Sequence, residues 1–120
     1  MLEIEPINPD PSQSDQLPYS PSIRVKGGAD ILFISGSTAL PLYHSHPHIH
    51  EEHVLPDDIK EQTRRAMEDI KLSLDACGLS WRNVVKITKF VTDMRETDAM
   101  HQVIGEYFDG WKPASTMVCV

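Results

Sequence analysis

The chain has 120 residues, 40% of them hydrophobic and 24% charged, which is the balance of one folded domain spanning 1–120 and not of a disordered segment. Its net charge of -7 and pI near 5.2 disfavour binding to a phosphate backbone or an anionic membrane surface, so neither nucleic acid nor membrane is expected as a partner. No run approaches the ~18 apolar residues of a membrane span, the start Met1-Leu2-Glu3-Ile4 lacks a basic, then apolar, leader, and Cys77 and Cys119 have no CxxC spacing; these point to two free thiols in a reducing, cytoplasmic setting.

Residues 1–17 read as an extended N-terminal arm. Leu2 and Ile4 alternate with acids, as in a short edge strand, and Pro6, Pro9, Pro11 and Pro18 keep the chain extended or turning. A hairpin is predicted next: Ser22 to Lys26 alternates, Gly27-Gly28-Ala29-Asp30 is turn chemistry, and Ile31-Leu32-Phe33-Ile34-Ser35 is a short strand ended by Gly36. Residues 37–56 form a long His-rich loop, and loops of that length in small domains are usually functional.

Asp57 or Asp58 caps a helix from about Ile59, with Thr63, Ala66, Ile70, Leu74 and Cys77 as its buried stripe and Gly78 as its stop. Val84 to Thr92 is β-rich and reads as a central strand. Thr97 or Asp98 caps a second helix with Met100, Val103, Ile104, Tyr107 and Phe108 on its apolar face, stopped by Gly110. Ser115 to Val120 forms the last strand, giving the order β–β–β–α–β–α–β and an α+β class: one mixed sheet with both helices on one face.

Five segments follow one another in the chain: Pro18-Tyr19-Ser20-Pro21, Phe33-Ile34-Ser35-Gly36, the helix Glu61 to Ile70, the strand Val84 to Asp93, and Pro113-Ala114. In this order they resemble signatures of the RidA/YjgF family of enamine/imine deaminases. The resemblance implies a chorismate-mutase-like fold and a homotrimer with a barrel-like core, whose small-molecule sites lie between subunits. It also implies hydrolysis of 2-imino acids, the carboxylate gripped by an arginine, which suits bidentate pairing. That arginine falls on Ser115 here. The asparagine of the family's second helix aligns with His101, and Met117 stands where a cysteine is frequent. The family's next strand, with a glutamate credited with steering water, lies beyond Val120. Tyr19, Ser35 and Gly36 match and are carried over as cleft residues.

The run Tyr43-His44-Ser45-His46-Pro47-His48-Ile49-His50-Glu51-Glu52-His53 holds five of the six histidines. In an extended chain, His44, His46, His48 and His50 would share one side. Their first reading is as ligand-orienting groups or general bases in place of the absent glutamate, since an imidazole titrates near neutrality. His44, His46 and His101 are the catalytic candidates; Tyr19, Ser35, Gly36, Ser115 and Thr116 are the ligand-binding ones. No cofactor is expected and no residue is assigned as a metal ligand, although crowded imidazoles and carboxylates can bind zinc-like ions. Lys112 and Arg24 are read as solvated charges, and Cys77 and Cys119 as core residues. The resulting reading is a non-standard RidA-like protein that binds a small metabolite and hydrolyses a C=N bond through a His-assisted water. A non-catalytic ligand sensor and a metal-dependent hydrolase on the His loop are the alternatives.

Overall fold

A computed structural model describes residues 2–120. Strand β1 (Glu3–Ile7) pairs antiparallel with β2 (Ser22–Lys26), from Glu3 opposite Lys26 to Ile7 opposite Ser22. Between them, Pro11–Gln16 makes a 3₁₀ turn capped by the Asp10 carboxylate, which accepts the Ser12 N–H at 3.1 Å. The N-terminal arm therefore contains regular structure, and it is docked: Lys112 Nζ donates to the Ser14 carbonyl at 3.1 Å.

The predicted hairpin is not formed. The strand β2 uses its five residues against β1, and the chain leaves it at Gly27, whose φ of +89° any side chain would resist. Ile31–Ser35 has no regular structure, and Ile31 and Phe33 are 75% and 88% exposed. An apolar run becomes a strand only beside an edge that offers hydrogen bonds, and none is paired with this one. The single mixed sheet is consequently replaced by two two-stranded ladders.

The second ladder belongs to the better-packed half. Helix α1 (Ile59–Ala76) is capped by Asp58, whose carboxylate accepts from Lys60 and Glu61 N–H groups. It ends in a Schellman motif: the Gly78 N–H reaches the Asp75 carbonyl and the Leu79 N–H the Leu74 carbonyl, with Gly78 at φ +67°. Its buried residues are Thr63, Met67 and Leu74. Met67 takes a place the predicted stripe missed, and Cys77 is exposed because the helix has already ended there.

Helix α2 (Thr97–Phe108) buries Met100, Val103 and Phe108 as its periodicity requires, with Val103 fully enclosed. Neither Thr97 nor Asp98 caps it. Glu96 holds the cap position without a side-chain bond, and the Thr97 hydroxyl donates to the Met94 carbonyl instead. Strands β3 (Lys86–Val91) and β4 (Ala114–Cys119) run parallel, joined through α2, with Ile87 opposite Ser115 and Thr88 opposite Thr116. Cys119 is exposed at the end of β4, not in the core. Among the described residues no helix is long and apolar enough to cross a membrane.

Candidate functional site

Period-two alternation gives the β3–β4 ladder two distinct faces. Lys86, Thr88 and Phe90 are exposed on one, while Ile87, Lys89 and Val91 turn toward the helices. On the open face Lys86 Nζ donates to Thr116 Oγ1 at 2.9 Å, the Ile87 carbonyl at 2.9 Å and Thr88 Oγ1 at 3.4 Å. All three ammonium protons are thereby used, and Thr116 keeps its own hydroxyl proton free to donate. Exposed Phe90 and Val118 lie on this same face.

Ser115 and Thr116, both ligand-binding candidates, do not share this face. As strand neighbours they face opposite ways, and Ser115 Oγ is buried with no hydrogen-bond partner. Behind the ladder, Lys89 Nζ lies 2.8 Å from His101 Nε2. Burial holds the His101 imidazole below its ordinary pKa, and the Lys89 charge adds to this, with Asp98 opposing. Burial, then Lys86, also lowers the Lys89 ammonium. The arrangement fits a neutral imidazole accepting from an ammonium, which uses the lone pair a general base would need.

Tyr19 lines a cavity of about 260 Å³ with Pro6, Ile7, Trp111 and Lys112. The Ser20 N–H donates to the Pro113 carbonyl at 3.2 Å and its hydroxyl to the Lys112 carbonyl, fixing Tyr19 beside the entry to β4. Ser35 and Gly36 are exposed in coil, and an added Cβ at Gly36 would meet nothing within 4 Å. None of the described residues therefore demands glycine there.

His44 and His46 come together with His48, but the fourth ring is His53, not His50. The 3₁₀ turn His50–His53 swings His53 onto the cluster, at 4.6 Å from His48 and 5.2 Å from His44 between ring centroids. Glu52 closes the loop, accepting the Ser45 N–H at 2.7 Å and its hydroxyl at 2.9 Å; these bonds hold its carboxyl below the usual range. His48 is held low by desolvation and then by the surrounding imidazoles. Beside this loop, α1 walls a groove of about 500 Å³ in which Glu51, Glu52, Glu61, Glu68 and Asp69 outnumber Arg64 and Arg65. Both guanidiniums are already engaged, by Glu106 and Glu61, and the Tyr107 hydroxyl donates to Glu68 at 2.7 Å. Burial, with that bond, pushes the Tyr107 phenol up to about 12.

The sequence profile described as endoribonuclease L-PSP matches residues 12–120. The chain belongs to that family, the RidA/YjgF proteins. A RutC family protein of Pyrococcus horikoshii is 37% identical over 101 residues, 84% of this chain and 72% of the relative. The crystal structure of Escherichia coli TdcF with bound serine superposes with a TM-score of 0.59 at 26% identity, over 72% of this chain and 64% of that one. YyfB, a Rid-family protein of Yersinia pestis, gives 0.74 over 98% of this chain and 86% of its own; at 21% identity it speaks for the fold alone. The RidA fold and the α+β class are thus shared, and the motifs that carried the resemblance fall where the family profile matches.

Lys86 and His53 were missed as candidates. Period two along Lys86-Ile87-Thr88 already puts Lys86 and Thr88 on one face, which is a usable signal. His53 breaks the i, i+2 series of the other histidines, and only the local turn reveals it.

Proposed function

We propose that this is a non-standard Rid protein that binds a small metabolite in clefts between the subunits of a homotrimer, at sites that include the open face of the β3–β4 ladder. The observation that carries the reading is the Lys86 ammonium bonded to Thr116 on that face, opposite to the face on which the side chain of position 115 lies. A compact ammonium with its protons already engaged attracts a single anionic or carbonyl oxygen but lacks the planar fork that grips a carboxylate in bidentate fashion. The favoured ligand is therefore a small carbonyl, imine or hydroxylated compound, and not a 2-imino acid held by both carboxylate oxygens. The reaction supported by the family relation is hydrolysis of a C=N bond, in which water adds to the imine carbon and ammonia leaves, yielding the carbonyl compound.

A second reading, binding without turnover, is favoured by a separate observation. His101 Nε2 is engaged by Lys89, and among the described residues no histidine or carboxylate hydrogen-bonds to Lys86 or Thr116.

The test uses imines generated in situ from several amino acids by an oxidase, with ammonia release followed, alongside calorimetric titration with serine and with small 2-oxo acids. Lys86→Met is expected to weaken binding, or to lower kcat/KM, tenfold or more. Equal binding by wild type and Lys86→Met would remove the open face from the site. Binding without ammonia release on any imine would leave the second reading standing, and a chain that sediments as a monomer at all concentrations would end both.

A further inference from the structure

We infer that His44, His46, His48 and His53 form a binding site for a divalent transition-metal ion of the zinc class. The inference is independent of the cleft above: it uses none of Lys86, Thr116 or His101, and it would remove His44 and His46 from any role as bases.

Three observations converge. One ring nitrogen from each of His44, His46 and His48 lies within 4.8 Å of the others. Four imidazoles around one zinc at bonds of about 2.0–2.1 Å have nitrogens about 3.4 Å apart, so these three donors need to close by roughly 1.4 Å at most, and the His53 ring has to turn in to join them. Side-chain rotations on an exposed loop supply that movement.

The second observation is His53 Nε2, which is buried without any hydrogen-bond partner. A buried ring nitrogen left unpaired is costly. With His53 4.6 Å from His48 and 5.2 Å from His44, a shared cation would satisfy it.

The third is the orientation of the ligands. His44 Nδ1 is 3.1 Å from the Pro41 carbonyl. A carbonyl only accepts, so Nδ1 carries the proton and Nε2 presents its lone pair, the outer-shell arrangement by which metal-bound histidines are commonly fixed. The paired bonds from Ser45 to Glu52 hold the two arms of the loop together, and the Glu52 carboxylate lowers the cost of a cation nearby. All-imidazole donors suit zinc, copper and nickel ahead of magnesium or calcium.

The experiment takes the chain without an affinity tag, strips it with a chelator, and titrates it with zinc alone by calorimetry. One zinc per chain is expected. His48→Ala and His53→Ala should each weaken binding tenfold or more, and His50→Ala, in the same loop but outside the cluster, should bind like wild type. Binding of less than one zinc per chain would overturn the site, as would equal weakening by His50→Ala or unchanged affinity in His48→Ala. Circular dichroism of α1 and α2 checks that the variants fold. Cobalt added to wild type supplies a readout that does not depend on them: intense tetrahedral visible bands support the site, and the pale spectrum of a water-rich octahedral ion refutes it.

Discussion

Residues 59–120 and residues 27–58 are almost equally rich in apolar side chains, yet they treat them in opposite ways. In the first stretch Met67, Leu74, Val91, Met100, Val103 and Phe108 are all buried. In the second only Ala39 is, while Ile31, Phe33, Tyr43 and Val54 stand 61–88% exposed. The difference lies in geometry and not in composition. Helices α1 and α2 each gather their apolar residues into one stripe, and two stripes facing each other can bury themselves within a single chain. The 27–58 stretch has no periodic face. Its apolar residues have no partner in one chain, and large exposed apolar groups in a folded protein commonly mark a surface used for binding or association.

The sharpest way to break this contrast is at Phe108. Its ring packs edge-on against Trp81 with centroids 5.3 Å apart, and nearby the Trp111 indole N–H donates to the Val84 carbonyl at 2.8 Å, tying the chain that enters β4 to the turn before β3. Phe108→Ala removes a buried ring and leaves a cavity at the junction of α2, the turn before β3, and the chain entering β4. The expected cost is about 3–5 kcal/mol in urea unfolding. A loss under about 1 kcal/mol would mean that the 59–120 half is not the stabilising core.

The same contrast explains what was legible in advance. The two helices, their Gly78 and Gly110 stops and the β3 strand were written in spacing and turn chemistry, because local sequence determines them. Asp109, in the left-handed region at φ +47°, supplies the actual cap of α2 one residue before Gly110. The Ile31–Ser35 strand was misjudged because a strand is a property of a pair, and the sequence names no partner. Cys77 was placed in the core by extending a period one step past the point where the helix stops. In the candidate site, Tyr19 is singled out by a family motif and Thr116 by its polar side chain beside the missing arginine. Lys86 lies on the strand paired with the one that carries the arginine position, so no motif marks it, and His53 is brought in by a turn that no alternation rule describes.

A smaller effect is expected at the half-buried His101. The His101 pKa is depressed in the folded chain, whereas the unfolded chain titrates near the ordinary 6.5. Below about that pH the unfolded state takes up a proton that the folded state refuses. The contribution is therefore full above 6.5 and is lost as the pH falls toward the folded value. His101→Gln keeps an acceptor for Lys89 but cannot titrate. Between about pH 6.5 and 5, above the range where most carboxylates protonate, its stability should fall less steeply than that of wild type. The measurement is the urea midpoint at a series of pH values; parallel curves would show that His101 is not shielded from protons as its burial between β3 and α2 implies.

The smallest expected change is also the one that tests what the exposed stretch is for. Phe33 is 88% exposed, so within one chain Phe33→Ala removes almost no packing and should shift the unfolding midpoint by no more than about 0.5 kcal/mol. That holds at concentrations where chains are separate. If the homotrimer proposed above covers this stretch, the loss grows with protein concentration, because the side chain then contributes to association and mass action amplifies it. Unfolding of wild type and variant at two concentrations a hundredfold apart therefore distinguishes the cases. A loss that is large and independent of concentration would place Phe33 in a core belonging to one chain and would dissolve the contrast between the two halves. A loss seen only at high concentration would locate the missing partner of the 27–58 stretch in another copy of the same protein.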